Sequence, residues 1–215
     1  ALASTAWQEV VVLHCSGALS SAVLQPLRQH GAAVGSMHPL HAFGTPLAAS
    51  QALDDVYWCV EGDTVALKVA RRLIADLRGH ASTILPEHKM LYHAAAAVAG
   101  NLITGLMSLS FAMLEQCGMA PAQARAMLMR LSEGVLQRIK QDGEVAALAG
   151  PISRGDVSTV AQHLEVLHTF PSRYLEAYRS LSEELLVLAQ HKGTASLALA
   201  EMQRLLGETD TPSGP

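Results

Sequence analysis

Four short clusters in this 215-residue chain hold the side chains that could do chemistry. The first is His14-Cys15-Ser16-Gly17, which closes the apolar run Val10–Leu13. Ligands collect at the carboxyl ends of strands in open α/β sheets, and a glycine there allows close backbone approach. The same residues also suit a tight turn whose serine caps the following helix. The second is GSMHPLHAF, residues 35–43, where Pro39 biases His38 toward an extended conformation. An imidazole held that way can donate a proton or a hydrogen bond to a substrate oxygen, or it can be a loop histidine with no role. His38 and His41 could also ligate a metal, but no carboxylate or thiolate stands at a convincing spacing.

The third cluster is HKMLYHAAAAVAGN, residues 88–101. Lys89 and His93 are four apart, so on a helix they lie about 40° apart on one face. A lysine beside an imidazole can polarise a carbonyl and relay a proton. Asn101 lies about 12 Å further along by helical rise and could belong to the same site or pair within the core. The fourth is GPISRGD, residues 150–156, where Arg154 could clamp a carboxylate or phosphate, or pair with Asp156.

The elements that must position these groups fall into two parts. Glu9–His14, Ala32–Met37, Val56–Val60 and Ser82–Leu85 read as strands. Between them, Ser20–His30 reads as a helix ended by Gly31, with Val23, Leu24 and Leu27 on one face. A second helix runs from an Asp63 cap to about Arg78. Strand–helix alternation implies a parallel or mixed sheet with helices packed on it. Beyond Pro86 no strand pattern remains. Helices are expected from Pro86 to about Cys117 and over Pro121–Gln141, with later ones capped by Asp156, opened by Pro171 and capped by Thr194. Residues 149–156 read as a loop. The fold class is therefore α/β followed by all-α.

Met90–Leu114 contains no charged residue and is long enough to span a bilayer. Its His93, Asn101, Thr104, Ser108 and Ser110 are expensive in hydrocarbon, so a helix buried all round inside the protein is the expectation. The net charge is −4 and no basic run occurs, so a nucleic-acid partner has no electrostatic footprint. Three dispersed cysteines suggest neither a disulfide framework nor a zinc knuckle and fit a reducing cytoplasm. The start, Ala1-Leu2-Ala3-Ser4, has no basic n-region of a secretory signal, and the absence of Met implies a processed or cut chain.

The ordered set VVVLHCSGALS, LRQHGAAVGSMHPLHAF, VEGD, HKMLYHAAAAVAGN and LAGPISRGDVSTVAQHL runs from about Val10 to Gln190. It resembles a family of Rossmann-like NAD(P)-dependent oxidoreductases with a C-terminal helical domain of unknown function. That family is related to prephenate dehydrogenase, ketopantoate reductase, pyrroline-5-carboxylate reductase and the 6-phosphogluconate dehydrogenase group. The resemblance implies the second half of a Rossmann-like sheet over residues 1–85. It implies a substrate and dimerisation domain like the 6-phosphogluconate dehydrogenase C-terminal domain over 86–207, and a disordered tail over 208–215. His14, Ser16 and Gly17 would then border the nicotinamide of NADP or NAD. His38-Pro39 resembles the His-Pro of prephenate dehydrogenases, where the histidine lies at the substrate site. Lys89 resembles the lysine that opens the first long helix of the hydroxyacid dehydrogenases and ketopantoate reductases, and His93 stands where those proteins usually carry Asn. The implied catalytic residues are Lys89, His93 and His38, with Ser16, Asn101 and Arg154 binding substrate and no metal.

The glycine-rich diphosphate turn G-x-G-x-x-G is absent from the sequence. The first half of the dinucleotide domain is thus expected to be missing, and the chain is expected to bind NAD(P) poorly or not at all. The activity implied is hydride transfer to or from a small anionic carbonyl or imine substrate, in a cytoplasmic homodimer with no membrane or nucleic-acid partner. The alternatives are a non-enzymatic dimerisation or small-molecule-sensing module and, more remotely, a metal hydrolase using His38 and His41.

Overall fold

The computed structural model describes residues 7–43 and 53–208. The first four residues, and the expected disordered tail apart from Glu208, lie outside the described residues. The chain divides into two compact units, Ala1–Thr104 and Gly105–Pro215. The division falls later than residue 85 because the first turns of the helix that opens at Lys89 bond to the sheet, as described below.

The first unit is built on a four-stranded sheet ordered β1 (Val11–His14), β2 (Ala33–Pro39), β3 (Tyr57–Gly62), β4 (His80–Thr83). The β1–β2 and β3–β4 pairs are parallel, and β2–β3 is antiparallel. The register puts His14 opposite Ser36, Ser36 opposite Glu61, and His38 opposite Cys59. Because side chains alternate along a strand, these five residues share one face. The other face carries Leu13, Met37, Trp58 and Val60 and packs with Ala70 and Ile74 of α2 (Thr64–Asp76) into the apolar core of this unit. Each fully buried aliphatic side chain there contributes roughly 1.5–3 kcal/mol. Asp63 stands at the N-cap of α2, but its carboxylate accepts from the Val34 N–H and pairs with Arg28 instead of capping.

Several boundaries differ from expectation for identifiable reasons. Ser20–His30 resolves into a 3₁₀ turn, Ser21–Leu24, and the five-residue α1, Gln25–Gln29, with Pro26 in its first turn and Val23 exposed. Strand β2 continues through His38 to Pro39, because His38 pairs with Cys59 and Pro39 with Trp58. Strand β4 begins at His80, two residues early, since Tyr57 pairs with it. The helix expected from Pro86 to Cys117 is a 3₁₀ turn, Pro86–His88, followed by α3 (Lys89–Ala99) and α4 (Asn101–Gln116), with the break at Gly100.

That stretch is also not buried all round. Pro86–Gln116 is long and apolar enough to cross a membrane by length and composition, and none of its most apolar window is buried. Met90 and Leu91 are among its exposed side chains. No element of the described chain covers them, so the apolar composition alone misled.

The second unit holds α5 (Pro121–Asp142), the short α6 (Glu144–Ala147) and α7 (Pro151–Arg154), then α8 (Val157–Leu167), α9 (Ser172–Lys192) and α10 (Ser196–Gly207). Its core joins Val160 and Leu164 of α8, Leu175 and Leu186 of α9, and Met202 and Leu206 of α10. Asp156 caps α8 by accepting from the Thr159 N–H and hydroxyl. Thr194 does not cap α10; its hydroxyl donates to the Ser153 carbonyl.

Gly62 is the tightest point of the sheet. Its φ is +135°, and a Cβ there would stand 2.5 Å from both Gly35 Cα and the Val34 carbonyl oxygen. Both obstacles are backbone and cannot swing aside. Gly62→Ala is therefore expected to cost at least about 2 kcal/mol in chemical denaturation, and a loss below about 0.5 kcal/mol would contradict this register.

Candidate functional site

The polar face of the sheet carries a row of sealed polar groups. Glu61 and Ser36 are fully buried and Lys89 is 1 % exposed. The Ser21 N–H and hydroxyl donate to the two carboxylate oxygens of Glu61 at 2.8 and 2.7 Å. Lys89, the first residue of α3, donates through Nζ to Ser36 Oγ at 2.7 Å. Burial pushes the Lys89 ammonium below the usual lysine range, while Cys59, Glu61 and Cys15 oppose that shift. Burial raises the Cys59 thiol, and the nearby Lys89 opposes it.

One turn along α3, Tyr92 and His93 meet His38 of β2. His38 Nδ1 lies 2.8 Å from Tyr92 Oη. The His38 ring stands edge-on to both Tyr92 and His93, with centroids 5.7 and 6.3 Å apart. Gly17 completes the contact: a Cβ there would stand 2.7 Å from His38 Nε2 and 2.8 Å from His93 Nδ1. The two imidazoles thus close over a position that only glycine leaves free. His93 Nδ1 and His14 Nε2 are buried without a hydrogen-bond partner among the described residues. Burial lowers the His38 pKa, and the charges of Lys89 and His93 lower it further. Burial pushes the Tyr92 phenol up to about 12. The site therefore holds a neutral imidazole and a neutral phenol at neutral pH.

His38, Tyr92 and His93 line a cavity of about 560 Å³ that continues past Ala96 to Asn101 and His41. Its few polar groups in a mostly aliphatic wall suit a small molecule oriented by hydrogen bonds. No group of three or more metal-ligating side chains occurs among the described residues.

His38, His93 and Asn101 of the expected residues share this cavity, although Asn101 stands two turns beyond His93. Lys89 lies under it rather than in its wall, because Ser36 takes its ammonium. Ser16 behaves as a turn residue: its hydroxyl accepts from the Leu19 N–H at 3.1 Å, and its own N–H donates to His14 Nδ1 at 3.2 Å. Arg154 belongs to the second unit, is 66 % exposed at its side chain, and faces Asp156 at 4.0 Å. Ser21, Ser36, Glu61 and Tyr92 are absent from the residues expected from sequence. The available signals were a lone carboxylate following the strand VYWCV and a tyrosine beside a histidine. Only the register shows that they converge.

The turn amides of Ser16 and Leu19 are used within the turn, and the space over Gly17 is filled by imidazoles. No glycine-rich turn follows a parallel strand among the described residues.

Residues 56–185 match the family described as a domain of unknown function, DUF2520. No curated protein matches the chain. Among solved structures, the chain is similar to protein TM1727 from Thermotoga maritima at 27% identity and a TM-score of 0.72, covering 85% of this chain and 70% of that one. It is similar to a candidate NADP oxidoreductase, BF3122 from Bacteroides fragilis, at 17% identity and a TM-score of 0.62, covering 81% of this chain and 64% of that one. It is also similar to Plasmodium falciparum pyrroline carboxylate reductase, solved with NADP bound, at 11% identity and a TM-score of 0.53, covering 91% of this chain and 69% of that one. The last two likenesses establish the fold: a mixed sheet followed by a mostly helical region, with Rossmann-like oxidoreductase neighbours.

The depressed His38 pKa has a measurable consequence. As pH falls from about 7 toward 5, through the ordinary imidazole pKa, the unfolded chain takes a proton at His38 that the folded chain resists. Stability contributed by this group is present above that range and lost below it. Denaturation midpoints compared between the native chain and His38→Gln are expected to show a smaller acid loss in the variant. Parallel pH curves would contradict the assignment.

Proposed function

The chain belongs to the DUF2520 family, and on the geometry of its cavity we propose that it is part of an NAD(P)-dependent oxidoreductase. The substrate is a small, anionic carbonyl or imine compound. The carrying observation is the convergence of His38, Tyr92 and His93 on one aliphatic-walled cavity above a buried ammonium. A positive charge behind hydrogen-bonding groups favours an electron-rich acceptor atom. His38 and His93 face that atom, and Asn101 contacts the far end of the molecule. Lys89 acts through its charge and its hold on Ser36, not by contact. Support from fold comes from the two oxidoreductase-like neighbours, a candidate NADP oxidoreductase and a reductase solved with NADP bound.

The nicotinamide dinucleotide would supply the hydride. Its diphosphate is assigned to no residue of this chain, because the sequence has no G-x-G-x-x-G and the Gly17 turn is filled. Arg154 is a candidate for a substrate carboxylate only if its pairing with Asp156 opens. The protein is read as cytoplasmic, without a membrane or nucleic-acid partner. The exposed apolar side chains of α5, with Leu131 at 63 % and Leu136 at 54 %, suit a homodimer through the helical part.

Two measurements test this reading. Titration of this chain with NADPH and NADH is expected to give dissociation constants weaker than the micromolar range, and micromolar binding would overturn the diphosphate assignment. Screening keto acids and cyclic imines with any longer form that carries a dinucleotide site is expected to show nicotinamide oxidation that falls at least about tenfold in His38→Ala. No oxidation across the panel would favour a binding or dimerisation module.

A further inference from the structure

His38 and Tyr92 share one hydrogen bond, and its direction decides what His38 can do. A neutral imidazole carries one proton, on Nδ1 or on Nε2, and the partner of one nitrogen sets the state of the other. Two physical facts fix the direction here. The phenol stays protonated well above neutral pH, so it always has a proton to donate. A phenol is also the better acid of the two and an imidazole nitrogen the better acceptor, so O–H to Nδ1 is stronger than N–H to the phenol oxygen. His38 is the only hydrogen-bond partner of the Tyr92 hydroxyl among the described residues. Facing His38 are Lys89 and His93, and both disfavour a second proton on its ring.

We propose that Tyr92 is a positioning residue of this site: its phenol donates to His38 Nδ1, fixes the ring as the Nε2–H tautomer, and makes His38 a hydrogen-bond donor rather than a base toward the bound molecule. Nε2 stands over the Gly17 turn and makes no hydrogen bond of its own among the described residues. A donor there selects a ligand with an acceptor atom, such as a carbonyl oxygen or an imine nitrogen. It disfavours an alcohol that must surrender its proton to His38, because Nε2 has no free lone pair to receive it. The ligand class rests on the preceding reading that this cavity takes the substrate; the tautomer does not.

The test reads the proton directly. Nitrogen-15 spectra of histidine-labelled protein at pH 8, with His38 signals identified by their loss in His38→Gln, report which ring nitrogen is protonated. The expected result is protonated Nε2 and unprotonated Nδ1. In Tyr92→Phe the Nδ1 signal is expected to move and the two nitrogens to approach each other as tautomers exchange, with the circular dichroism spectrum unchanged. Should Tyr92→Phe fail to fold, fluorotyrosine labelling gives the same information with the ring kept in place. A more acidic phenol strengthens the bond and shifts Nδ1. Protonated Nδ1 in the native protein, or Nδ1 signals indifferent to both changes, would overturn the proposal. Neither outcome depends on finding a substrate, so failure of the oxidoreductase reading would be visible separately.

Discussion

A carboxylate and an ammonium are both sealed inside the first unit, with Glu61 fully buried and Lys89 1 % exposed. Taking either charge out of water alone costs several kcal/mol, and such groups persist when they are paired and hydrogen-bonded. Here each finds a serine. Ser21 supplies two donors to Glu61, and Ser36 takes the Lys89 ammonium. Ser36 also stands directly opposite Glu61 in the ladder. The start of α3 is thus tied to the centre of the sheet by polar contacts that tolerate no slip. A one-residue shift would turn Ser36 and Glu61 toward the apolar face.

Everything in the candidate site follows from that anchor. With Lys89 held at Ser36, the next turn of α3 brings Tyr92 and His93 against His38, two residues along β2 on the same face. Gly17 lets the imidazoles close. Ala96 and Asn101 then extend the cavity wall. Lys89 is sealed beneath the site, and burial, with the charge of Lys89 second, lowers the His38 pKa.

The sequence made the architecture readable because each part has a clear period: short β-branched runs separated by Gly and Pro, then long helical repeats. His38, His93 and Asn101 were recognisable as polar residues at element ends or on a shared helix. Ser36, Glu61 and Tyr92 were not, since nothing local distinguishes a serine in GSMHP or a glutamate after VYWCV from a solvated one. Their meaning lies in the antiparallel β2–β3 register, a non-local fact. The apolar stretch around residues 90–114 misled in the opposite direction. Composition says that such a segment seeks apolar company, but not whether this chain provides it, and here Met90 and Leu91 remain exposed. Arg154 faces Asp156, and the Ser16 hydroxyl accepts from the Leu19 N–H within its turn.

The most direct test of this account is a double-mutant cycle between Glu61 and Lys89, measured by chemical denaturation of Glu61→Gln, Lys89→Met and the pair. Each single change is expected to cost about 3 kcal/mol or more, because each buried charge keeps only its own serine and loses the opposite charge that offsets it through space. The double variant should then lose less than the sum of the two by at least about 1 kcal/mol. Losses that add to within about 0.5 kcal/mol would show two independent residues, and would contradict the coupling of the two buried charges beneath the site.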